Sequence, residues 1–212
     1  FDPNFASLKA AFDQGEIGKG ELLSITSFDP APPPVSYVKV SGGIFRDMAI
    51  HDFDMACWMY GAVPEKVTAI GSSIVDPAIG EAGDFDTAIT TLEFSGGRMA
   101  VIKNSRRAAY GYDQRLEFLG AEGLLVAHNV LENTVEKITH AGATKAKPEH
   151  FFHERYAKAY QIEWNSFVQG VQGTEKLPVP LKEGIDALVV AEAAALSARE
   201  GRTVDVAKEI LS

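Results

Sequence analysis

Gly42-Gly43-Ile44-Phe45-Arg46-Asp47-Met48-Ala49-Ile50-His51-Asp52-Phe53-Asp54-Met55 is the stretch on which the reading of this chain turns. Two glycines make a flexible turn. The apolar spacing after them predicts a helix from about Ile44 to Tyr60, stopped by Gly61. Residues four apart stack on one helical face. Asp47 and His51 have that spacing, so the carboxylate is expected to hold one ring nitrogen and leave the other free for a substrate proton. An imidazole held in this way is a general acid/base suited to neutral pH. Asp54, three residues further on, falls close to the same face, whereas Asp52 points elsewhere and reads as a solvated charge. The same Asp–His spacing also occurs as an ordinary helix-surface pair, so the surrounding sequence has to decide.

Outward from this stretch, Asp2-Pro3 caps and opens a helix carrying Phe5, Leu8 and Phe12, which Gly15 ends. Glu21 to Ser27 reads as a strand, and Pro30 to Pro34 as a stiff extended loop beside the site. Beyond Gly61, runs rich in Thr, Ile and Val predict strands at Lys66–Val75, Phe85–Phe94, Arg98–Ala109, Gln114–Leu119, Gly123–Asn129 and Thr134–Thr139. Ser95-Gly96-Gly97 reads as a hairpin turn, and short connections make the pairing mostly antiparallel. Two helices close the chain. One runs from Pro148 to about Gln169 and is expected to bury Phe152, Tyr156, Ala159, Tyr160 and Phe167; an alanine-rich one runs from Gly184 to Arg199, before Gly201. This order implies an α+β fold, a large open and mostly antiparallel β-sheet with helices packed on one face, as one domain over residues 1–212. Ile89 and Leu92 fall on opposite faces of one strand, as do Val101 and Ile102 on its neighbour. Apolar residues on both faces imply that a partner subunit covers the free one, giving a homo-oligomer.

Composition narrows the function. The 212 residues are 46% hydrophobic and 23% charged, as in ordinary soluble domains. A net charge of −9 argues against nucleic acid and anionic membrane surfaces, and Arg106-Arg107 is the sole adjacent basic pair. No apolar run reaches the roughly 18 residues of a membrane span. The single cysteine, Cys57, excludes an internal disulfide, reads as a packing residue, and fits a reducing cytoplasm. His150 and His153 lack a clear third ligand, and His128 and His140 stand alone, so no metal site is expected.

The full string Gly42–Ala56 resembles the second-domain signature of the two-domain, nicotinamide-dependent sugar and polyol dehydrogenases, the glucose-fructose oxidoreductase/inositol dehydrogenase family. Phe1-Asp2-Pro3-Asn4-Phe5 is similar to the family's segment after its dinucleotide domain. Asp29-Pro30-Ala31-Pro32-Pro33-Pro34 is similar to its loop before the catalytic helix, and Asn104-Ser105-Arg106 with Tyr110-Gly111-Tyr112-Asp113 to its substrate-facing strand. The resemblance runs to about Ala207, and since the family packs such sheets together as dimers of dimers it implies a tetramer for the parent protein. It implies Asp47 and His51 as the catalytic acid/base pair, Tyr110, Asp54, Asp29 and Asn104 as substrate-binding residues with Tyr112 a weaker candidate, and NAD as cofactor. The implied reaction is oxidation of a polyol hydroxyl, with myo-inositol to its 2-ketone foremost. Other sugars, and a non-catalytic sugar-binding or assembly module, stay open. Phe28 stands where relatives often carry a basic residue, which leaves the substrate undecided. Neither a Gly-x-Gly-x-x-Gly turn nor the family's Glu-Lys-Pro motif occurs, and residue 1 is Phe rather than Met. The expectation is therefore a carboxy-terminal domain, with NAD bound mainly by an N-terminal dinucleotide-binding domain outside this sequence, and no turnover by the fragment alone.

Overall fold

A computed structural model describes residues 1–211. In chain order its elements are α1 (Pro3–Asp13), β1 (Gly20–Phe28), α2 (Val35–Ser41), α3 (Ile44–Asp47), α4 (Ile50–Tyr60), β2 (Lys66–Ser72), α5 (Pro77–Glu81), β3 (Thr87–Glu93) and β4 (Met99–Ser105). There follow β5 (Asp113–Gly120), β6 (Gly123–Ala127), β7 (Glu136–Thr139), β8 (Gly142–Lys145), α6 (Phe152–Arg155), α7 (Ala157–Val171), α8 (Leu181–Glu200), β9 (Val204–Asp205) and α9 (Val206–Glu209). The α+β expectation holds. The described residues form a seven-stranded sheet in the order β6-β5-β1-β4-β3-β2-β9, with β7 and β8 as a separate hairpin. Only β1 and β4 run parallel; the other neighbours are antiparallel.

Strand alternation divides the sheet into two unlike faces. The inner face carries Leu23, Ile25, Val67, Leu92, Ile102 and Phe118, all buried. On it lie α4, through Phe53, Ala56 and Met59, and α8, through Val190, Ala191, Ala193 and Ala194. The alanines of α8 let its backbone come close to β2. There Ser197 Oγ accepts the Ala69 N–H at 2.8 Å and donates to the Arg202 carbonyl at 2.6 Å. The outer face exposes Ile70, Ile89, Met99, Leu22, Leu119 and Leu124. No element among the described residues covers that apolar surface.

Three departures of local structure from the sequence reading bear on the site and on the open surfaces. The helix expected from Ile44 to Tyr60 is two, α3 and α4, broken at Met48–Ala49. There the Ala49 N–H reaches back five residues, to the Ile44 carbonyl at 2.9 Å, which is the π-type turn often found at functional sites. The Pro-rich loop leads directly into α2, an unforeseen helix whose last turn ends at Gly42, φ +93°. Thirdly, the expected closing helix is divided into α6 and α7, and α7 buries none of its side chains. Tyr160 and Phe167, expected inside, are exposed, and with Trp164 and Val171 they line an apolar stripe. The stripe has helical spacing, which signals amphipathicity but not what covers it. The helix packs chiefly on α6 and leaves the sheet.

Gly43 sets the entry into α3. It has φ +85°, and a Cβ there would stand 2.8 Å from Asp84 Oδ1, the atom that accepts the Ile44 N–H at 3.0 Å. Gly43→Ala therefore combines left-handed backbone strain with loss of that cap. It is expected to destabilise the protein by about 2 kcal/mol, read as a lowered midpoint in urea unfolding.

Candidate active site

The parallel pairing of β1 with β4 brings two strand ends to one edge of the sheet. Phe28 pairs with Ser105, so the next residues, Asp29 and Arg106, sit side by side. The Asp29 N–H donates to the Ser105 carbonyl at 2.9 Å and prolongs the ladder. Parallel strands have their carboxyl ends together, where α/β proteins place ligands.

Arg106 is buried at this edge. Its Nη2 donates to Asp47 Oδ2 at 2.7 Å, and its Nη1 lies 3.7 Å from Asp29 Oδ2. Asp47 Oδ1 accepts from the hydroxyl of Tyr37, on α2, at 2.5 Å. Asp47 is thus held by a cation and a phenol. The expected Asp47–His51 hydrogen bond is not made, because the extra residue in the Met48–Ala49 turn takes the two side chains off a common helical line. The His51 side chain is exposed on the first turn of α4 and has no hydrogen-bond partner among the described residues. The acid whose charge reaches it is Asp54. Asp54 lines a cleft of about 290 Å³ with Cys57, Lys182 and Glu183, and burial followed by the Glu183 charge raises its carboxyl.

Asp52 reverses the sequence expectation. It is 6% exposed, and its Oδ2 accepts from Asn104 Nδ2 at 2.6 Å. The first turn of α4 faces the sheet on that side, so the side chain has no route to water. Asn104, expected in the cleft, is itself buried and turned toward Asp52. Beside it on the inner face, Ser27 bonds Gln114 and Tyr156 donates to Gln114 Oε1 at 3.2 Å. Tyr112 packs edge-on against Tyr156, and its hydroxyl feels the charges of Asp29 and Asp52. Tyr110 instead spends its hydroxyl on Asp113 at 2.5 Å, away from this cluster. Tyr112, the weaker candidate by sequence, is the tyrosine beside the acids. Phe28 alternates to the outer face with Ser105, so it does not line the cluster. Cys57 is inert at neutral pH, its thiol pushed up to about 12 by burial and then by Asp54 and Asp186. No group of His, Cys, Asp or Glu among the described residues is arranged to hold a metal ion.

Sequence reasoning passed over Arg106 and Tyr37 as site residues, and had no spacing argument to bring Tyr156 to the site. Arg106 had a signal, since it lies two residues beyond Asn104 and so shares its strand face. The nearness of Arg106 to Asp29 had none, because it depends on which strands pair.

The GFO/IDH/MocA C-terminal domain profile matches residues 5–126, more than half of the sequence. The chain belongs to that family. It is 48% identical over 210 residues to a myo-inositol 2-dehydrogenase of Thermotoga maritima, covering 99% of this chain and 63% of the relative. The crystal structure of a myo-inositol dehydrogenase from Corynebacterium glutamicum superposes with a TM-score of 0.91 at 44% identity, over 96% of this chain and 61% of that one. A scyllo-inositol dehydrogenase from Lactobacillus casei, solved with NAD(H) and scyllo-inositol, superposes with a TM-score of 0.89 at 31% identity, over 98% and 63%. The chain thus spans a little over three fifths of the length of these relatives.

Desolvation raises Asp29 from the usual 3.8 to about 6, with Arg106 opposing and Asp47 adding to the rise. The folded state therefore keeps a proton that the unfolded chain releases, and this contribution to stability is lost as pH climbs from about 4 to about 6. Asp29→Asn cannot lose it. The variant's unfolding free energy relative to the parent protein is expected to improve across that window by as much as about 3 kcal/mol, followed by urea titrations at successive pH values.

Proposed function

We propose that residues 1–212 are the substrate-binding and oligomerisation domain of an NAD-dependent polyol dehydrogenase, an inositol 2-dehydrogenase that oxidises myo-inositol to its 2-ketone. The observation that carries this reading is His51, an exposed imidazole without a partner of its own among the described residues, within reach of the Asp54 charge and four residues after Asp47, which Arg106 and Tyr37 hold. An acid/base group that ends in open surface fits a site completed from outside this chain. The relatives, longer by more than a third of their own length, support the same reading.

NAD, held mainly by an N-terminal dinucleotide-binding domain, would supply the hydride acceptor. The residues here do the remaining work. His51 takes the hydroxyl proton and returns it in the reverse direction, which keeps negative charge from building on the substrate oxygen. Asp47, pinned by Arg106 and Tyr37, is a fixed negative charge four residues before the imidazole, and Asp54 is the acid whose charge reaches the ring as it becomes positive. Asp54 and Asp29 suit the hydroxyls of a polyol, since carboxylates accept several hydrogen bonds at once. Asn104, being buried, serves from behind rather than at the substrate. The outer sheet face and the α7 stripe are surfaces for a second copy and for the first domain. The assembly is a homo-oligomer, a tetramer, through the sheet face. A lone cysteine and the acidic surface accord with a cytoplasmic enzyme.

The full-length protein is expected to reduce NAD in the presence of myo-inositol, and the isolated chain to be inactive. In the full-length protein, His51→Ala is expected to lower kcat by about 10²- to 10⁴-fold. Normal turnover by that variant would remove the assignment. Light scattering at micromolar concentration is expected to show an oligomer, and a monomer would count against the sheet-face contact.

A further inference from the structure

β4 and the residue just beyond it grip the site twice. Arg106 holds Asp47 on one side of the Met48–Ala49 break. Asn104, two residues earlier on the same strand face, holds Asp52 on the other side. His51 lies between the two grips. The second grip has an unexplained feature: Asn104 Oδ1 is buried with no hydrogen-bond partner. A carboxylate only accepts hydrogen bonds, so an ionised Asp52 can satisfy the amide nitrogen of Asn104 and never its oxygen. A neutral carboxyl can satisfy both. Its O–H donates to Oδ1 while its carbonyl oxygen accepts from Nδ2, a two-bond acid–amide pair. An orphaned buried acceptor costs about 1–3 kcal/mol, so the neutral form is favoured where water cannot enter.

The surroundings agree. Burial pushes the Asp52 carboxyl up to about 7, against the Asn104 hydrogen bond and with help from the Asp29 charge. The groups facing it from other elements are Asp29 at the end of β1 and the hydroxyls of Tyr112 and Tyr156, both held protonated by burial. On its own helix the neighbours are His51 and Asp54. No cation pairs with it among the described residues; Arg106 is committed to Asp47 and Asp29.

We propose that Asp52 is a positioning residue, a proton-bearing carboxyl that pairs with Asn104 and fixes the first turn of α4, and with it His51, against β4. The kinetic part rests on the dehydrogenase reading; the pairing itself does not. In the full-length enzyme, Asp52→Ala and Asn104→Ala are each expected to lower kcat about tenfold or more, with KM for polyol and NAD within about threefold. The double variant should cost no more than the worse single one, since the two act as a unit. Asp52→Asn should recover kcat to within about threefold, because a side-chain amide donates to Oδ1 and accepts from Nδ2 as the neutral acid does. Its melting temperature should also hold between pH 5 and 8, where the parent's declines relative to it. The proposal is overturned if Asp52→Asn is as damaging as Asp52→Ala. A rise in KM at unchanged kcat, or identical pH dependence of melting in parent and Asp52→Asn, overturns it equally. If the full-length parent turns over no polyol with NAD, the dehydrogenase reading fails, and the melting comparison alone decides the pairing.

Discussion

Arg106 places one guanidinium between two carboxylates, 2.7 Å from Asp47 and 3.7 Å from Asp29, in a setting that excludes most water. Two acids brought this close without a cation would repel, and one of them would have to take up a proton or turn away. Removing one partner of a buried pair commonly costs about 3–5 kcal/mol, which measures how firmly such a cation ties its neighbours. Here the tie joins three segments remote in sequence: the end of β1, the end of β4 and the last residue of α3. It exists because β1 and β4 run parallel and so end together.

Around that tie the other features fall into place. Gly42 and Gly43 admit the turn that delivers Asp47 to Arg106. The irregular turn at Met48–Ala49 then redirects the chain, so that successive residues of α4 serve opposite ends: His51 goes to the surface while Asp52 is pressed against Asn104. Deeper along the same helix, Phe53, Ala56 and Met59 are buried against the sheet and α8, which anchors the helix that presents His51. An exposed imidazole on a helix whose underside is packed against the sheet combines access with fixed geometry.

Two apolar surfaces remain uncovered, the outer sheet face and the α7 stripe. Monomeric soluble proteins seldom leave areas of this kind open. Their presence agrees with the share of the relatives' length that the chain spans.

The amino-acid order by itself determined the fold class, because hydrophobic period and turn chemistry are local properties. Strands such as Thr87–Glu93, the hairpin turn at Ser95–Gly97 and the alanine-rich α8 could all be read in this way. The string around Asp47 and His51 marked the candidate site by its spacing and by its resemblance to a family signature. Partners were not legible. Asp52 looked like a solvated charge from its helical position, and Tyr110 looked closer to the substrate than Tyr112. The first reading reversed once the strands paired, and Tyr112 rather than Tyr110 came to lie beside Asp29 and Asp52, because burial and hydrogen bonding depend on residues far away in the chain. Tertiary structure alone decided that Arg106 would hold Asp47, that Asn104 would hold Asp52, and that His51 would stand free. Each outcome depends on parallel register between β1 and β4 and on a one-residue irregularity in a helix, neither of which leaves a periodic trace in sequence.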